Sequence, residues 1–269
     1  MEKIICIGSL KGGVGKTTTA VNLSAALARF GKNTLLVDCD QQGSATLALG
    51  FNKKRIKRSL GNALLGNAGA ADLVLDCKLD YLKIIPSNSR HFPFDFNSIS
   101  RSGKEMILRD VLSEIESAFD HIVIDTPPSQ DFLTINALSA SHSLLIPLQC
   151  DFMAYESLVP YLRFVRWIRE RFNPELKLSG ILLTMYREGQ NISQQIALNI
   201  RKNLKSLVFN TVIPQSVLFS EASSAGKPIV VHDSKSMGGL SYLNLAKELL
   251  ARRSNPKYER RNKNGRHLI

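Results

Sequence analysis

The chain has 269 residues, a formal net charge of +12, 44% hydrophobic residues and 22% charged residues. That balance supplies a globular core and excludes a disordered or fibrous class, and no run approaches the roughly 20 apolar residues that cross a bilayer. Cys6, Cys39, Cys77 and Cys150 show no CxxC or CxxH spacing, which predicts reduced structural thiols in a cytoplasmic protein.

Strand and helix patterns alternate along the chain. Met1-Glu2-Lys3-Ile4-Ile5-Cys6-Ile7 enters a strand without a signal-peptide layout, and Lys3–Ser9 ends in a Gly-rich loop. Thr17–Phe30 has helical spacing in Ala20, Leu23, Ala26 and Leu27, and Gly31 stops it. Thr34–Val37 reads as a second strand, ended by Asp38. After a loop-rich middle come a strand at Tyr81–Ile85, a helix at Met106–Ala118 and a strand at His121–Ile124, ended by Asp125. Leu144–Leu148 is a strand and Ala154–Phe172 a long amphipathic helix with basic residues on one side. A strand at Leu178–Met185, a helix at Ile192–Leu204, a short strand at Val212-Ile213-Pro214 and a closing helix at Ser241–Ala251 complete the pattern.

Short apolar strands alternating with helices predict an α/β fold, a mainly parallel twisted sheet with helices on both faces. No repeat or composition break marks a second domain. The reading is one domain over residues 1–251 and a basic tail, expected to be disordered, over residues 252–269. Positive charge is concentrated in Lys53-Lys54-Arg55-Ile56-Lys57-Arg58 and in that tail, which favours an anionic partner, nucleic acid or an anionic membrane surface.

The most informative stretch is Lys11-Gly12-Gly13-Val14-Gly15-Lys16-Thr17-Thr18, between a strand and a helix. Glycines let successive backbone N–H groups turn toward a phosphate, and the helix start adds partial positive charge. In such a loop Lys16 reaches the β- and γ-phosphates and the Thr17 hydroxyl ligates Mg2+. The strict GxxxxGK[ST] pattern is not met, because Leu10 stands at its first glycine, and Lys11 adds a second lysine.

This stretch resembles the deviant Walker A motif of the ParA/MinD superfamily of P-loop ATPases. Leu35-Leu36-Val37-Asp38-Cys39-Asp40-Gln41-Gln42-Gly43-Ser44-Ala45-Thr46 is similar to the family's first switch, and Ile122-Val123-Ile124-Asp125-Thr126-Pro127-Pro128-Ser129 to its Walker B strand and second switch. Ile146–Asp151, Phe219-Ser220-Glu221-Ala222 and Gly226-Lys227-Pro228 resemble the ParA, Soj-like branch in particular. The likeness spans about residues 3 to 250.

The resemblance implies a single-domain P-loop NTPase that binds ATP and Mg2+ and hydrolyses ATP slowly. Gly12, Gly13, Val14, Gly15, Lys16, Thr17 and Thr18 would cradle the nucleotide, and Pro214 would stand beside adenine. Lys11 would reach the nucleotide of the partner subunit in an ATP-bound homodimer, near an acidic residue at Asp151. Thr17, Asp38 and Asp125 would form the metal surroundings, and Asp40 would orient the attacking water. Residue type agrees with this, because an Asp at the carboxyl end of a buried strand points into the crevice where ligands of open α/β sheets sit. Gln41 departs from a family proline, which leaves that loop more mobile.

The implied role is DNA partition through non-specific DNA binding with a ParB-like stimulating partner. A MinD-like membrane system or another cargo is the alternative. Gln215 and Leu218 replace arginines that contribute to DNA binding in relatives, and Gln190 replaces another basic residue. DNA contacts would then fall to Arg163, Arg166, Arg169, Arg171, Arg201, Lys202, Lys205 and the tail. Beyond Arg253 only Tyr258, Leu268 and Ile269 are bulky and apolar, too few for a membrane-binding helical face.

Overall fold

Ile4-Ile5-Cys6-Ile7 has no polar face, so as a strand it must be covered on both sides. It forms β1 (Ile4–Ile7), wholly buried, in a computed structural model that describes residues 2–253 apart from 94, 97 and 98. In chain order follow α1 (Lys16–Arg29), β2 (Thr34–Asp38), α2 (Ser44–Ala48), α3 (Leu60–Leu64), β3 (Leu75–Asp76), β4 (Leu82–Ile85), α4 (Ile107–Ser113), β5 (His121–Asp125) and α5 (Phe132–Ala140). Then come β6 (Ser143–Gln149), α6 (Ala154–Arg171), β7 (Lys177–Tyr186), α7 (Asn191–Leu204), β8 (Val208–Pro214), α8 (Leu218–Ser224), α9 (Ile229–His232) and α10 (Met237–Arg253).

The strands make one sheet in the order β3-β4-β2-β5-β1-β6-β7-β8. Neighbours are parallel except β3 with β4 at one edge. Ile4 and Cys6 point into a core roofed by α4 to α7, and Ile5 and Ile7 into a second core roofed by α1, α9 and α10. The two-residue side-chain period of a strand divides each run between the layers. This is the α/β architecture that the alternating pattern predicts. Strand register also brings two acids together, because Asp38 and Asp125 are direct cross-strand partners at the carboxyl ends of β2 and β5.

The structure corrects several boundaries. The helix expected over Met106–Ala118 stops at Ser113, and a short 3-10 turn at Glu116–Ala118 follows, a bend that buries both Ile115 and Phe119. Helix α5 escaped the pattern because Phe-Leu-Thr-Ile-Asn-Ala-Leu-Ser-Ala has no polar face, and seven of its residues are buried. Its start is nonetheless marked, since the Asp131 carboxylate accepts from the N–H groups of Leu133 and Thr134. Helices α8 and α9, of seven and four residues, also went unread, being too short for periodicity. The closing helix runs on through Arg253, so Arg252 and Arg253 belong to it rather than to the tail. Arg252 donates to the Val208 carbonyl at 2.7 Å and to Glu248 at 2.8 Å, and lies 4.0 Å over the Phe209 ring. The tail expectation for residues 254–269 lies outside the described residues.

Candidate nucleotide-binding site

The loop between β1 and α1 is shaped by residues that carry no side chain. Gly13 and Gly15 have φ of 74° and 89°, a left-handed backbone that disfavours other residues. A Cβ at Gly12, Gly13 or Gly15 would meet nothing within 4 Å, so no neighbouring atom crowds the loop at these positions. Gly8, just before the loop, is different: a Cβ there would stand 2.0 Å from the Tyr161 hydroxyl. Close backbone approach sets that glycine. The loop is also tied to the sheet, because the Thr184 hydroxyl of β7 donates to the Val14 carbonyl at 2.9 Å.

Lys16 opens α1 with its side chain buried, and its Nζ donates to the Lys11 carbonyl at 3.1 Å. Burial lowers its pKa, and the negative charges of Asp125 and Asp40 oppose that shift. Asp125 is fully buried and its pKa is pushed well up, first by burial and then by the charge of Asp38. The Thr17 hydroxyl faces it and pulls the pKa back, yet falls short of hydrogen-bond geometry, so both Asp125 oxygens lack a hydrogen-bond partner. Asp38 is raised to about 6, mainly by burial. Its Oδ2 accepts from the Thr46 hydroxyl at 2.6 Å and the Thr46 N–H at 2.7 Å, which oppose the shift.

Two buried carboxylates in register, one without any hydrogen-bond partner, are costly unless a cation shares the space. The donors are hard oxygens, and Thr17 adds a hydroxyl, a set that suits Mg2+ rather than a softer metal. Among the described residues no three His, Cys, Asp or Glu side chains converge as a self-sufficient metal cage. Here Thr17 and Asp125 would hold the ion, with Asp38 behind them.

Asp40 belongs to the same electrostatic cluster, but its Oδ1 accepts the Gln42 N–H of its own loop at 2.9 Å, and its carbonyl accepts from the Ser87 hydroxyl at 2.6 Å. Lys11 pairs with Asp151, two residues beyond the end of β6, both side chains about 30% exposed. Thr17 and Thr18 line a small cleft of about 40 Å³ with Asn22, Phe219 and Lys227. Pro214 ends β8 opposite Tyr186 and is not among the residues lining that cleft. Gln215 is held from Arg187, which donates to its side-chain oxygen. Arg163, Arg166, Arg171, Lys202 and Lys205 are exposed, whereas Arg201 donates to the Asn210 carbonyl at 2.9 Å.

Several structural partners of the site escaped sequence reasoning. Thr46 stood within a quoted motif but had no role assigned, although its hydroxyl also accepts the Ser87 N–H at 2.9 Å. Ser87 and Thr184 carry no local signal, since one reaches the site from the loop after β4 and the other from β7. All four cysteines are free, and Cys6, Cys39 and Cys150 are buried as expected of structural thiols. No helix among the described residues is long and apolar enough to cross a membrane.

Comparison with known proteins agrees with this geometry. The model of the AAA_31 family, described as an AAA domain, matches residues 2–178. The chromosome partitioning protein ParA of Myxococcus xanthus is 42% identical over 259 residues, covering 96% of this chain and 91% of its own length. The sporulation initiation inhibitor protein Soj of Bacillus subtilis is 41% identical over 251 residues, covering 93% of this chain and 99% of its own. Among solved structures, cobyrinic acid a,c-diamide synthase of Mycobacterium smegmatis with bound ADP and magnesium superposes with a TM-score of 0.82 at 30% identity, covering 95% of this chain and 96% of its own.

Proposed function

Because the chain belongs to the ParA/MinD superfamily of P-loop ATPases, on its Soj-like branch, and is an ATPase working with ATP and Mg2+, we propose that it is an ATP-driven dimerisation switch that partitions DNA. The observation that carries this reading is the pair of lysines in one loop. Lys16 is buried at the helix start, beside Asp125 and Asp40. Lys11 is held by Asp151 with about 30% of its side chain exposed. A lysine so placed can exchange Asp151 for another anion, and the phosphates of a nucleotide bound by a second copy are that anion.

In this reading the inward N–H groups of Gly12 to Thr18 and the Lys16 ammonium bind the phosphates. Bound Mg2+ supplies charge neutralisation there. Asp40 gives up the Gln42 N–H and orients the attacking water. Lys11, released from Asp151, completes the site from the partner subunit and couples hydrolysis to dimer formation. The dimer holds DNA through salt-dependent contacts of exposed lysines and arginines, and a ParB-like partner stimulates release. The relative named a chromosome partitioning protein, at 42% identity, outranks the diamide synthase at 30%, which favours the switch over a synthase reaction.

Light scattering with a slowly hydrolysed ATP analogue, followed by co-sedimentation with plasmid DNA, tests the proposal. Lys11→Ala should bind nucleotide, fail to dimerise and fail to hydrolyse ATP. A Lys11→Ala protein that dimerises and turns over normally defeats the switch reading. Absence of ATP-dependent DNA binding by the intact chain at about 50 mM salt defeats the DNA part alone.

A further inference from the structure

The segment Lys53–Arg58 is not part of the nucleotide chemistry, yet it carries five cations in six residues. Lys54, Arg55, Lys57 and Arg58 are exposed. Among the described residues only Arg58 has an acidic partner, Asp72 at 3.2 Å, in a pair 57% exposed on each side. Beneath them lies a concave cavity of about 660 Å³. Phe51, Ile56 and Leu75 supply apolar surface to it, and Arg55, Lys57 and Arg58 supply cations.

Three observations define what fits there. The turn over Lys53–Arg55 has no free backbone cradle for a single phosphate, because the Asn52 side chain already accepts the Lys54 N–H at 3.0 Å. Recognition therefore rests on long cations spread along the chain, which suits an extended anionic segment. Duplex DNA is extended and anionic, but its backbone offers nothing to bury against Phe51, Ile56 and Leu75. A peptide alternating acidic and apolar side chains offers both.

The same segment is tied to the loop that carries Asp40. Lys53 Nζ donates to the Gln42 carbonyl at 2.6 Å, and Asn88 donates to the Lys53 carbonyl at 2.9 Å. Neighbouring Ser87 bonds the Asp40 carbonyl and the Thr46 hydroxyl. A ligand that moves Lys53 therefore moves the carbonyl two residues from Asp40.

We propose that this basic cavity is a docking site for an acidic protein segment bearing apolar side chains, and that Lys53 transmits its binding to the switch loop. The site itself stands apart from the ATPase reading, and only the transmission rests on it. The test uses the full chain and fluorescence anisotropy with three labelled probes: a synthetic peptide alternating glutamate and leucine, an all-glutamate peptide, and a short duplex DNA. The alternating peptide should bind saturably and more tightly than the all-glutamate one. Arg55→Glu with Lys57→Glu should weaken it about tenfold or more, since each former attraction becomes a repulsion, while basal ATP turnover stays as in the unmodified chain. The peptide should also change ATP turnover, and in Lys53→Met it should bind but leave turnover unchanged. No saturable peptide binding, or equal binding by the charge-reversed protein, overturns the site. Loss of duplex affinity on charge reversal, with no peptide binding, assigns the surface to DNA instead. Peptide binding that leaves turnover of the unmodified chain unchanged overturns the transmission. An absence of ATP turnover altogether would fail the ATPase reading while leaving the anisotropy result intact.

Discussion

Replacing Thr46 by valine removes one hydroxyl and disturbs two buried hydrogen bonds at once. That hydroxyl donates to Asp38 Oδ2 at 2.6 Å and accepts the Ser87 N–H at 2.9 Å, and Thr46 is fully buried. A hydrogen bond to a charged group contributes about 1.5–3 kcal/mol, and a buried N–H left without a partner costs about 1–3 kcal/mol. Thr46→Val should therefore destabilise the nucleotide-free protein by about 3–5 kcal/mol at pH 7.5, read as a fall of about 1–2 M in the urea midpoint. The deficit should depend on pH. Asp38 has a folded pKa of about 6, above its unfolded value of 3.8, so it favours folding at low pH and loses that contribution as pH rises through about 6. Below that value the missing hydrogen bond is neutral to neutral and weaker, so at pH 4.5 the deficit should shrink by about 1 kcal/mol. In the variant the Asp38 pKa should rise further, because a hydrogen bond that favoured its ionised form is gone. A destabilisation under about 1 kcal/mol, or a deficit equal at both pH values, would refute the assignment of Thr46 as the Asp38 partner.

Gly8→Ala should lower ATP affinity and cost about 1–3 kcal/mol of stability through overpacking, because its Cβ would stand 2.0 Å from the Tyr161 hydroxyl. Adding Tyr161→Phe should restore part of both, and no restoration in isothermal titration would place the strain elsewhere. Asp40→Ala should bind ATP and Mg2+ but accumulate as an unhydrolysed dimer, seen by size-exclusion chromatography, whereas parallel loss of binding would make Asp40 a metal ligand instead. Removing residues 254–269 deletes Lys257, Arg260, Arg261, Lys263 and Arg266 while keeping the Arg252 anchor. It should flatten the salt dependence of DNA binding by about 0.9 for each phosphate no longer neutralised, with ATP-driven dimerisation unchanged. An unchanged slope would move the footprint to Arg163, Arg166 and Lys202.

The glycine-rich loop was legible because its signals are local. Glycines at left-handed positions, a lysine at the helix start and a threonine beside it stand in one run of eight residues, and the structure places them at one helix end. The strands were legible for a related reason: runs such as Leu35-Leu36-Val37 and Ile122-Val123-Ile124 are apolar on both faces. Helix α5 was not, because a helix buried all round loses the polar stripe that marks its period. Arg252 was read as tail because its charge resembles that of its neighbours, while its partners Val208 and Glu248 lie across a strand and a helix.

By itself the sequence determined the alternation of strands and helices, the glycine-rich loop between β1 and α1, and the acidic residues at strand ends. Only the tertiary structure decided which of those acids meet. Asp38 and Asp125 lie 87 positions apart and become direct partners because β2 and β5 pair in parallel. Lys11 finds Asp151 only because β1 and β6 are neighbours, and Thr46 finds Ser87 only because β2 and β4 pair in parallel. Local pattern records each segment's periodicity and end signals, whereas strand order is settled by which apolar faces cover one another most completely, a sum over the whole chain.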